Sequence, residues 1–147
     1  MSKLEIQVQK ISPDAKLPGY AHHGDAGVDL YSEITVTLQP GARLLVPTGI
    51  KMAIPEGYEG QVRPKSGLAL RHGISVLNTP GTVDAPYRGE VGVILVNLDP
   101  KTPYEIKKGE KIAQMVFAKV EHAVFTEAAE LGATTRGEGG FGSTGKR

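Results

Sequence analysis

The chain has no cysteine among its 147 residues. This absence excludes a disulfide framework, a thiolate metal site and a cysteine nucleophile. A large excess of positive charge is also missing, because the formal net charge is only +1. Without a broad cationic surface we expect no nucleic-acid partner, and any anionic ligand must be bound by a local group of donors.

Long apolar runs are absent as well. No window approaches the ~20 apolar residues that a membrane-spanning helix needs. The first ten residues, MSKLEIQVQK, alternate polar and apolar side chains and have no apolar core like that of a secretion signal. We therefore expect no membrane partner and a soluble, cytoplasmic protein.

Glycine and proline are abundant, with 19 and 10 copies, and they favour many turns between short strands. Apolar residues alternate with polar ones in short segments spaced about ten residues apart, which is typical of an all-β sandwich or barrel. Residues 66–72, SGLALRH, form the one predicted helix, with Ser66 as its cap and Gly73 as its stop. The length fits one domain.

Two apolar runs, residues 74–77 and 91–98, flank the segment NTPGTVDAPYRGE. They predict two strands joined by a broad, stiff hairpin, and the second run is apolar enough to be buried on both faces. The hairpin carries Asn78, Asp84 and Tyr87. Polar groups on a rigid loop are a common way for a β scaffold to present chemistry. An ordinary surface turn of Asp, Gly and Pro explains this segment equally well.

Three isolated residues are further candidates for ligand contacts. Lys65 in RPKSG precedes the predicted helix, whose first amides would favour an anion, although a simple helix cap beside a surface lysine is the alternative. Asp29 in AGVDL is flanked by apolar residues and would face a metal or a cation, unless it is a turn aspartate. Gln114 interrupts an apolar strand at residues 112–120, so its amide needs hydrogen-bond partners or a ligand.

The last stretch, GATTRGEGGFGSTGKR, differs from the rest of the chain. We divide the chain into a β domain at residues 1–131 and a glycine-rich tail at 132–147, which we expect to be mobile without a ligand. Its glycine amides, Arg136, Ser143 and Thr144 could donate to a phosphate, and Phe141 could stack on a base. On composition alone, a disordered tail is the favoured interpretation.

Taken together, AGVDL, RPKSG, NTPGTVDAPYRGE, GEKIAQM and RGEGGFGSTG resemble, in order and spacing, the five motifs of the homotrimeric deoxyuridine triphosphatases, or dUTPases. The resemblance extends from about Ala26 to Gly145. Two positions depart from the family pattern. Lys65 stands where arginine is more common, which keeps the charge but loses the bidentate fork, and Pro86 stands where an acid or glycine is common.

The resemblance implies a distorted jelly-roll-like β-barrel or sandwich and a homotrimer with active sites shared between chains. The tail at 132–147 would close over each site as a lid. The implied activity is hydrolysis of dUTP to dUMP and pyrophosphate with Mg²⁺, which keeps uracil out of DNA and supplies dUMP for dTMP synthesis.

The resemblance also implies a role for each site residue. Asp84 would activate the water that attacks the α-phosphorus, and Asp29 would contact Mg²⁺ through water. Asn78 and hairpin backbone groups would read uracil, and Tyr87 would pack against the sugar. The full implied substrate-binding set is Lys65, Ser66, Gly67, Asn78, Gly81, Thr82, Val83, Tyr87, Gln114, Arg136, Phe141, Gly142, Ser143 and Thr144.

Three other functions are weighed against dUTP hydrolysis. A related dCTP deaminase would share the scaffold but should carry an extra acid on the strand after the hairpin, where this chain has residues 92–95, GVIL. A non-catalytic binding or regulatory protein would have no use for Asp84 as a base. A capsid or lectin-like jelly roll would leave the candidate anion sites without a purpose.

Overall fold

The computed structural model describes residues 3–147. In this part of the chain, eleven short strands and one helix follow in the order β1 (Gln7–Lys10), β2 (Gly27–Tyr31), β3 (Val36–Leu38), β4 (Arg43–Pro47), β5 (Ile50–Ala53), β6 (Tyr58–Arg63), α1 (Ser66–His72), β7 (Ile74–Val76), β8 (Gly81–Asp84), β9 (Gly92–Asn97), β10 (Tyr104–Ile106) and β11 (Lys111–Lys119).

All the strand pairs are antiparallel, as expected for a chain with many short connections. A four-stranded sheet has the order β2-β11-β6-β8, and a three-stranded sheet has the order β4-β9-β7. Two small sheets, β1-β5 and β3-β10, complete the arrangement. The prediction of an all-β, jelly-roll-like fold with one short helix is confirmed in its sandwich form rather than as a closed barrel.

The two larger sheets share one apolar core. Leu30 and Met115 come from the four-stranded sheet, Val46 and Leu95 come from the three-stranded sheet, and all four belong to one buried cluster. Their alternation with exposed residues along the strands is the period-two pattern that buries one face of each sheet. Burial of this cluster is the main force that holds the scaffold together.

The segment between β7 and β9 differs from the simple hairpin loop that the sequence predicts. β7 and β9 do pair, with Val76 opposite Leu95. However, the connection between them contains β8, which pairs with β6 in the other large sheet. The alternating burial of Gly81 and Val83 is the period-two pattern of a strand. The sequence analysis did not predict this strand, because four residues are too few to stand out among neighbouring turn residues.

Burial along β9 is more one-sided than the apolar run predicts. Val93, Leu95 and Val96 are buried, but Ile94 is only half-buried and Leu98 is 67% exposed. Val96 lies on the same face as Ile94, so within a single chain the expectation of burial on both faces holds at Val96 but fails at Ile94 and Leu98. The physical reason is that one chain provides no layer to cover the outer face of the three-stranded sheet at these positions.

The helix α1 spans the predicted residues, but its cap lies one residue earlier than predicted. Lys65 occupies the cap position with extended backbone, no side chain caps the helix, and Ser66 is its first helical residue. Gly73 ends the helix in the left-handed conformation with a φ of 66°, as predicted, and donates its N–H to the Ala69 carbonyl. Among the described residues, no helix has the length and apolar character needed to span a bilayer.

We expect Leu95→Ala to lower the free energy of unfolding by about 2–5 kcal/mol, because the truncation leaves a cavity where the two sheets meet. The matched control is Leu70→Ala on α1, where the leucine is 87% exposed and the change should stay within about 0.5 kcal/mol. Urea denaturation at one fixed protein concentration measures both values. Equal losses for the two variants would contradict this assignment of the core.

Candidate active site

The connection between β7 and β9 forms one wall of a cavity of about 260 Å³, the hairpin cavity. β8 provides this wall because its pairing with β6 holds it against the four-stranded sheet. Six of the residues predicted from the sequence line the cavity together. They are Asn78, Gly81, Thr82, Val83, Asp84 and Tyr87.

Gly81 allows close packing at the start of β8. A Cβ atom at this position would lie 3.2 Å from the Asn78 amide nitrogen and 3.4 Å from the Val62 Cβ. The missing side chain therefore lets the Asn78 amide lie directly against the β8 backbone. One side-chain amide and a row of backbone groups are thus presented side by side in the cavity wall.

Asp84 ends β8 and is the exposed carboxylate at the rim of the cavity. Its Cα lies opposite that of Glu59 in β6, and its carbonyl accepts the Tyr87 N–H at 3.1 Å. The backbone on both sides of the carboxylate is therefore held, while the side chain is open to solvent and to a ligand. This is the arrangement expected of a base that must reach a water molecule.

The position of the Tyr87 ring depends on a residue that the sequence analysis did not single out. The Tyr87 hydroxyl donates to the Glu90 carbonyl at 2.8 Å. The Glu90 side chain accepts the Gly49 N–H at 2.9 Å and so joins the hairpin to the turn between β4 and β5. The only sequence signal was an acid directly before the apolar run at residues 91–98, at the end of the quoted motif.

A second group of polar residues, the cationic cluster, consists of Lys65, Lys111 and Asp29. The Lys65 ammonium is 2.5 Å from one Asp29 carboxylate oxygen, and the Lys111 ammonium is 3.2 Å from the other. The cluster therefore keeps one net positive charge, since two cations share one anion. Lys111 was not among the predicted site residues, although it lies within the GEKIAQM motif.

Asp29 is buried, and only 5% of the residue's surface is exposed to solvent. Burial raises the pKa of Asp29, but hydrogen bonds from Lys65 and then from Lys111 outweigh burial and leave the pKa below its ordinary value. Asp29 is therefore ionised at neutral pH. Because its pKa is lowered by folding, its contribution to stability is present above the unfolded-state pKa and is lost as the pH falls through the lower folded-state value.

Gln114 links the cationic cluster to the start of α1. Its Cα pairs with that of Asp29 on one side and with that of Arg63 on the other. Its side-chain amide donates to the Pro64 carbonyl at 3.0 Å, which supplies the partner that a polar group within an apolar strand needs. The Gln114 side chain also occupies the space beside Gly27, where a Cβ atom would lie 2.5 Å from its Oε1 atom.

The first turn of α1 lies next to Lys65. The first intrahelical hydrogen bond runs from the Ala69 N–H to the Lys65 carbonyl at 3.0 Å. The earlier amides, those of Ser66, Gly67 and Leu68, have no carbonyl acceptor within the helix. The helix start and Lys65 thus place several N–H donors and one ammonium group in the same region.

The donor groups of the chain fit a directly coordinated metal poorly. Both carboxylate oxygens of Asp29 already bind ammonium groups. Across residues 3–147 no group of three or more His, Cys, Asp or Glu side chains is placed to hold a metal ion. A hard cation such as Mg²⁺ would therefore depend on oxygen ligands from outside the chain and on water.

The tail residues lie near neither the hairpin cavity nor the cationic cluster. Phe141 is fully exposed, and neither it nor its predicted partners line the hairpin cavity. The tail instead forms local turns, in which the Arg136 guanidinium donates to the Gly139 carbonyl at 2.8 Å. Of the predicted residues, Arg136, Phe141, Gly142, Ser143 and Thr144 are therefore separate from the others within one chain.

The hairpin cavity and the cationic cluster are also far apart within one chain. Asp84 pairs with Glu59 on β6, whereas Gln114 pairs with Arg63, four residues further along the same strand. Three strand spacings and four residues of strand length separate the Cα atoms of Asp84 and Asp29 by roughly 20 Å. One reacting atom of a small ligand therefore cannot contact both Asp84 and the cationic cluster of the same chain.

Comparisons with known proteins match the chain to one enzyme family. The deoxyuridine 5'-triphosphate nucleotidohydrolase of Clostridium kluyveri is 54% identical over 142 residues, covering 97% of this chain and 99% of that protein. The solved dUTPase of Staphylococcus bacteriophage 80alpha with dUPNHPP has a TM-score of 0.89 at 30% identity, covering 97% of this chain and 99% of that one.

A second similar structure is a mutant dUTPase from phage phi11 of S. aureus, which coordinates a structural Mg(II) ion. Its TM-score is 0.81 at 26% identity, over 88% of this chain and 99% of that one. The dUTPase family model matches residues 13–145, which includes the hairpin cavity, the cationic cluster and most of the tail. The chain belongs to the dUTPase family.

Proposed function

We propose that this protein hydrolyses dUTP to dUMP and pyrophosphate. The observation that carries the proposal is the exposed Asp84 carboxylate at the rim of the hairpin cavity, on a strand held by β6. In a cell this reaction would lower the amount of dUTP available for incorporation into DNA and would supply dUMP for dTMP synthesis.

The reaction needs positioning more than covalent chemistry. The negative charges of a triphosphate repel an attacking oxygen, so catalysis requires an aligned water and neutralisation of charge. Asp84 would accept a proton from that water as it attacks the α-phosphorus, and pyrophosphate would leave. The held backbone around Asp84 favours this role, because it fixes the position of the Asp84 Cβ atom before the substrate arrives.

Uracil would be recognised by the edge of β8. Among the described strands only β6 pairs with β8, so the other side of β8 faces the cavity without a neighbouring strand. Backbone groups of Gly81, Thr82 and Val83, together with the Asn78 amide, can bind the pairing edge of the base. Cytosine presents the opposite donor and acceptor pattern and would leave these groups unbonded. Tyr87 would pack against the sugar.

The phosphates would be bound by the cationic cluster of a different chain. The three phosphates are joined through single bridging oxygens, so they cannot reach a cluster roughly 20 Å from Asp84 within the same chain. A homotrimer with shared sites solves this problem by placing Lys65, Ser66, Gly67 and Gln114 of one chain opposite the hairpin cavity of its neighbour. The exposed Leu98 and the uncovered outer face of β9 are consistent with such contacts.

Mg²⁺ is proposed to enter with the triphosphate. When bound, it would neutralise charge on the phosphate oxygens. Asp29 would act on it only through water, because both its oxygens are bonded to lysines. The residues of the chain would meanwhile hold the phosphate oxygens through the Lys65 ammonium and the first amides of α1.

The tail, residues 132–147, is proposed to act as a lid. Its exposure in one chain leaves Arg136, Ser143 and Thr144 free of the body of the protein and available to a bound triphosphate. Gly142 would give the backbone close access to the ligand, with a φ of 87°, and Phe141 would stack on the uracil. Closure would exclude water other than the one that reacts.

A dCTP deaminase is the nearest rival, and the cavity argues against it. Residues 92–95, where the additional acid is expected, are GVIL and contain no acid. At Gly92 a Cβ atom would also lie 2.6 Å from a Leu45 methyl carbon. Ile94 and Val91 extend this apolar surface. The other carboxylate in the lining, Glu90, already accepts the Gly49 N–H.

The activity is tested by measuring pyrophosphate release from dUTP, dTTP, dCTP and UTP in parallel. We expect a preference for dUTP of about a hundredfold or more over each competitor, because each one loses a hydrogen bond or adds a clash. Ammonia release from dCTP would instead support the deaminase. Tight binding of dUTP without turnover would support the non-catalytic alternative.

Asp84→Asn keeps the size of the side chain but removes the base. We expect kcat to fall by at least about a hundredfold, while dUTP binding, measured by calorimetry, stays close to that of the wild type. Asp25→Asn is the matched control, because Asp25 lies in an exposed turn outside the predicted site. Near-normal turnover of the Asp84 variant would disprove the proposed role.

Shared sites predict complementation between two inactive variants. Asp84→Asn and Lys65→Met should each be nearly inactive alone. Mixed trimers made by co-expression should recover about a third of their sites, since an intact hairpin then meets an intact cluster at one of the three interfaces. Activity of purified, doubly tagged trimers measures this recovery. Mixed trimers as inactive as the parents would place both residues in a site within one chain.

A further inference from the structure

The ring of Tyr87 occupies space that only a glycine at position 89 leaves open. A Cβ atom on Gly89 would lie 2.4 Å from the Tyr87 hydroxyl oxygen, 2.6 Å from Cζ and 2.8 Å from Cε1. Distances this short do not occur between real side chains. The ring therefore lies directly over the Gly89 backbone, and any larger residue there would push it away.

The backbone of Gly89 does not itself demand glycine. Other glycines in the chain, such as Gly57 and Gly73, have positive φ values, but Gly89 is not among them. Alanine could adopt its backbone conformation without the penalty of the left-handed region. The need for glycine at this position therefore comes from the aromatic ring above it.

The ring is also held at its far end. The Tyr87 hydroxyl donates to the Glu90 carbonyl, as described above, and the following peptide is fixed by the Val91 N–H, which donates to the Ile50 carbonyl at 2.9 Å. The Val91 carbonyl accepts the Thr48 hydroxyl at 2.6 Å. The acceptor for Tyr87 thus belongs to a peptide anchored where the turn between β4 and β5 leads into β5. This hydrogen bond holds the far end of a ring that is 47% exposed.

We propose that Gly89 is a positioning residue that sets substrate specificity, because it fixes where the Tyr87 ring stands in the wall of the hairpin cavity. This inference rests on the proposed function, in which that ring packs against the sugar. A Tyr87 ring held at one distance from the sugar can admit a 2′-hydrogen and exclude a 2′-hydroxyl. A displaced or mobile ring would lose this discrimination without removing the base, Asp84.

Gly89→Ala tests the proposal through the ratio of kcat/KM for dUTP to kcat/KM for UTP, measured by pyrophosphate release. We expect the ratio to fall about tenfold, the scale of discrimination by one misfitting group in a pocket. Gly19→Ala is the matched control. Gly19 has open space around its Cα and no positive φ, so the ratio should not change.

A double-mutant cycle tests whether Gly89 acts through the ring. In a Tyr87→Ala background, Gly89→Ala should have no further effect on the ratio, because the group that it displaces is gone. Tyr87→Phe provides a second variant that should fold even if Gly89→Ala does not. By removing the bond to the Glu90 carbonyl, it should lower the ratio about threefold, the effect of one net hydrogen bond.

Three results would overturn the proposal. An unchanged ratio in folded Gly89→Ala, judged by its thermal midpoint, would show that the ring swings away when the substrate binds. A fall in the ratio that persists in the Tyr87→Ala background would show that Gly89 acts independently of the ring. Wild-type protein that releases no pyrophosphate from dUTP would overturn the proposed function and this inference together, whereas the first two results leave dUTP hydrolysis intact.

Discussion

The pairing of β8 with β6 is the interaction on which the rest of the candidate site depends. The chain leaves one sheet after β7, adds a short strand to the other sheet, and returns to pair β9 with β7. Backbone hydrogen bonds therefore hold the hairpin at three places. Because those bonds do not depend on the exposed side chains, Asp84 and Thr82 can face a ligand without weakening the scaffold.

The cationic cluster shows a different balance of forces. Removing Asp29 from water is unfavourable, and the two lysines offset this only because each bonds a separate carboxylate oxygen. The result is a group with one positive charge in excess, held in fixed positions. Such a preorganised charge suits an anionic ligand better than flexible surface lysines would, since less ordering is needed on binding.

A single chain contains all the groups of the proposed site but does not assemble them. The hairpin cavity and the cationic cluster lie at opposite edges of the four-stranded sheet, and the tail reaches neither of them. Sheet geometry imposes this separation, because neighbouring strands and successive residues have fixed spacings. Assembly of several chains is therefore the natural way to bring a carboxylate, an anion site and a lid around one triphosphate.

By itself, the sequence determined the β class, the short helix, the family and the groups with the right chemistry, because periodicity, turn residues and motif order are local properties. Tertiary structure decided the rest. The second sheet partner of β8, the pairing of Asp29 with Lys111, and the contact of Tyr87 with Gly89 and Glu90 all depend on how the backbone folds in three dimensions. Neither periodicity nor residue type records which strands become neighbours or which ring lies over which glycine.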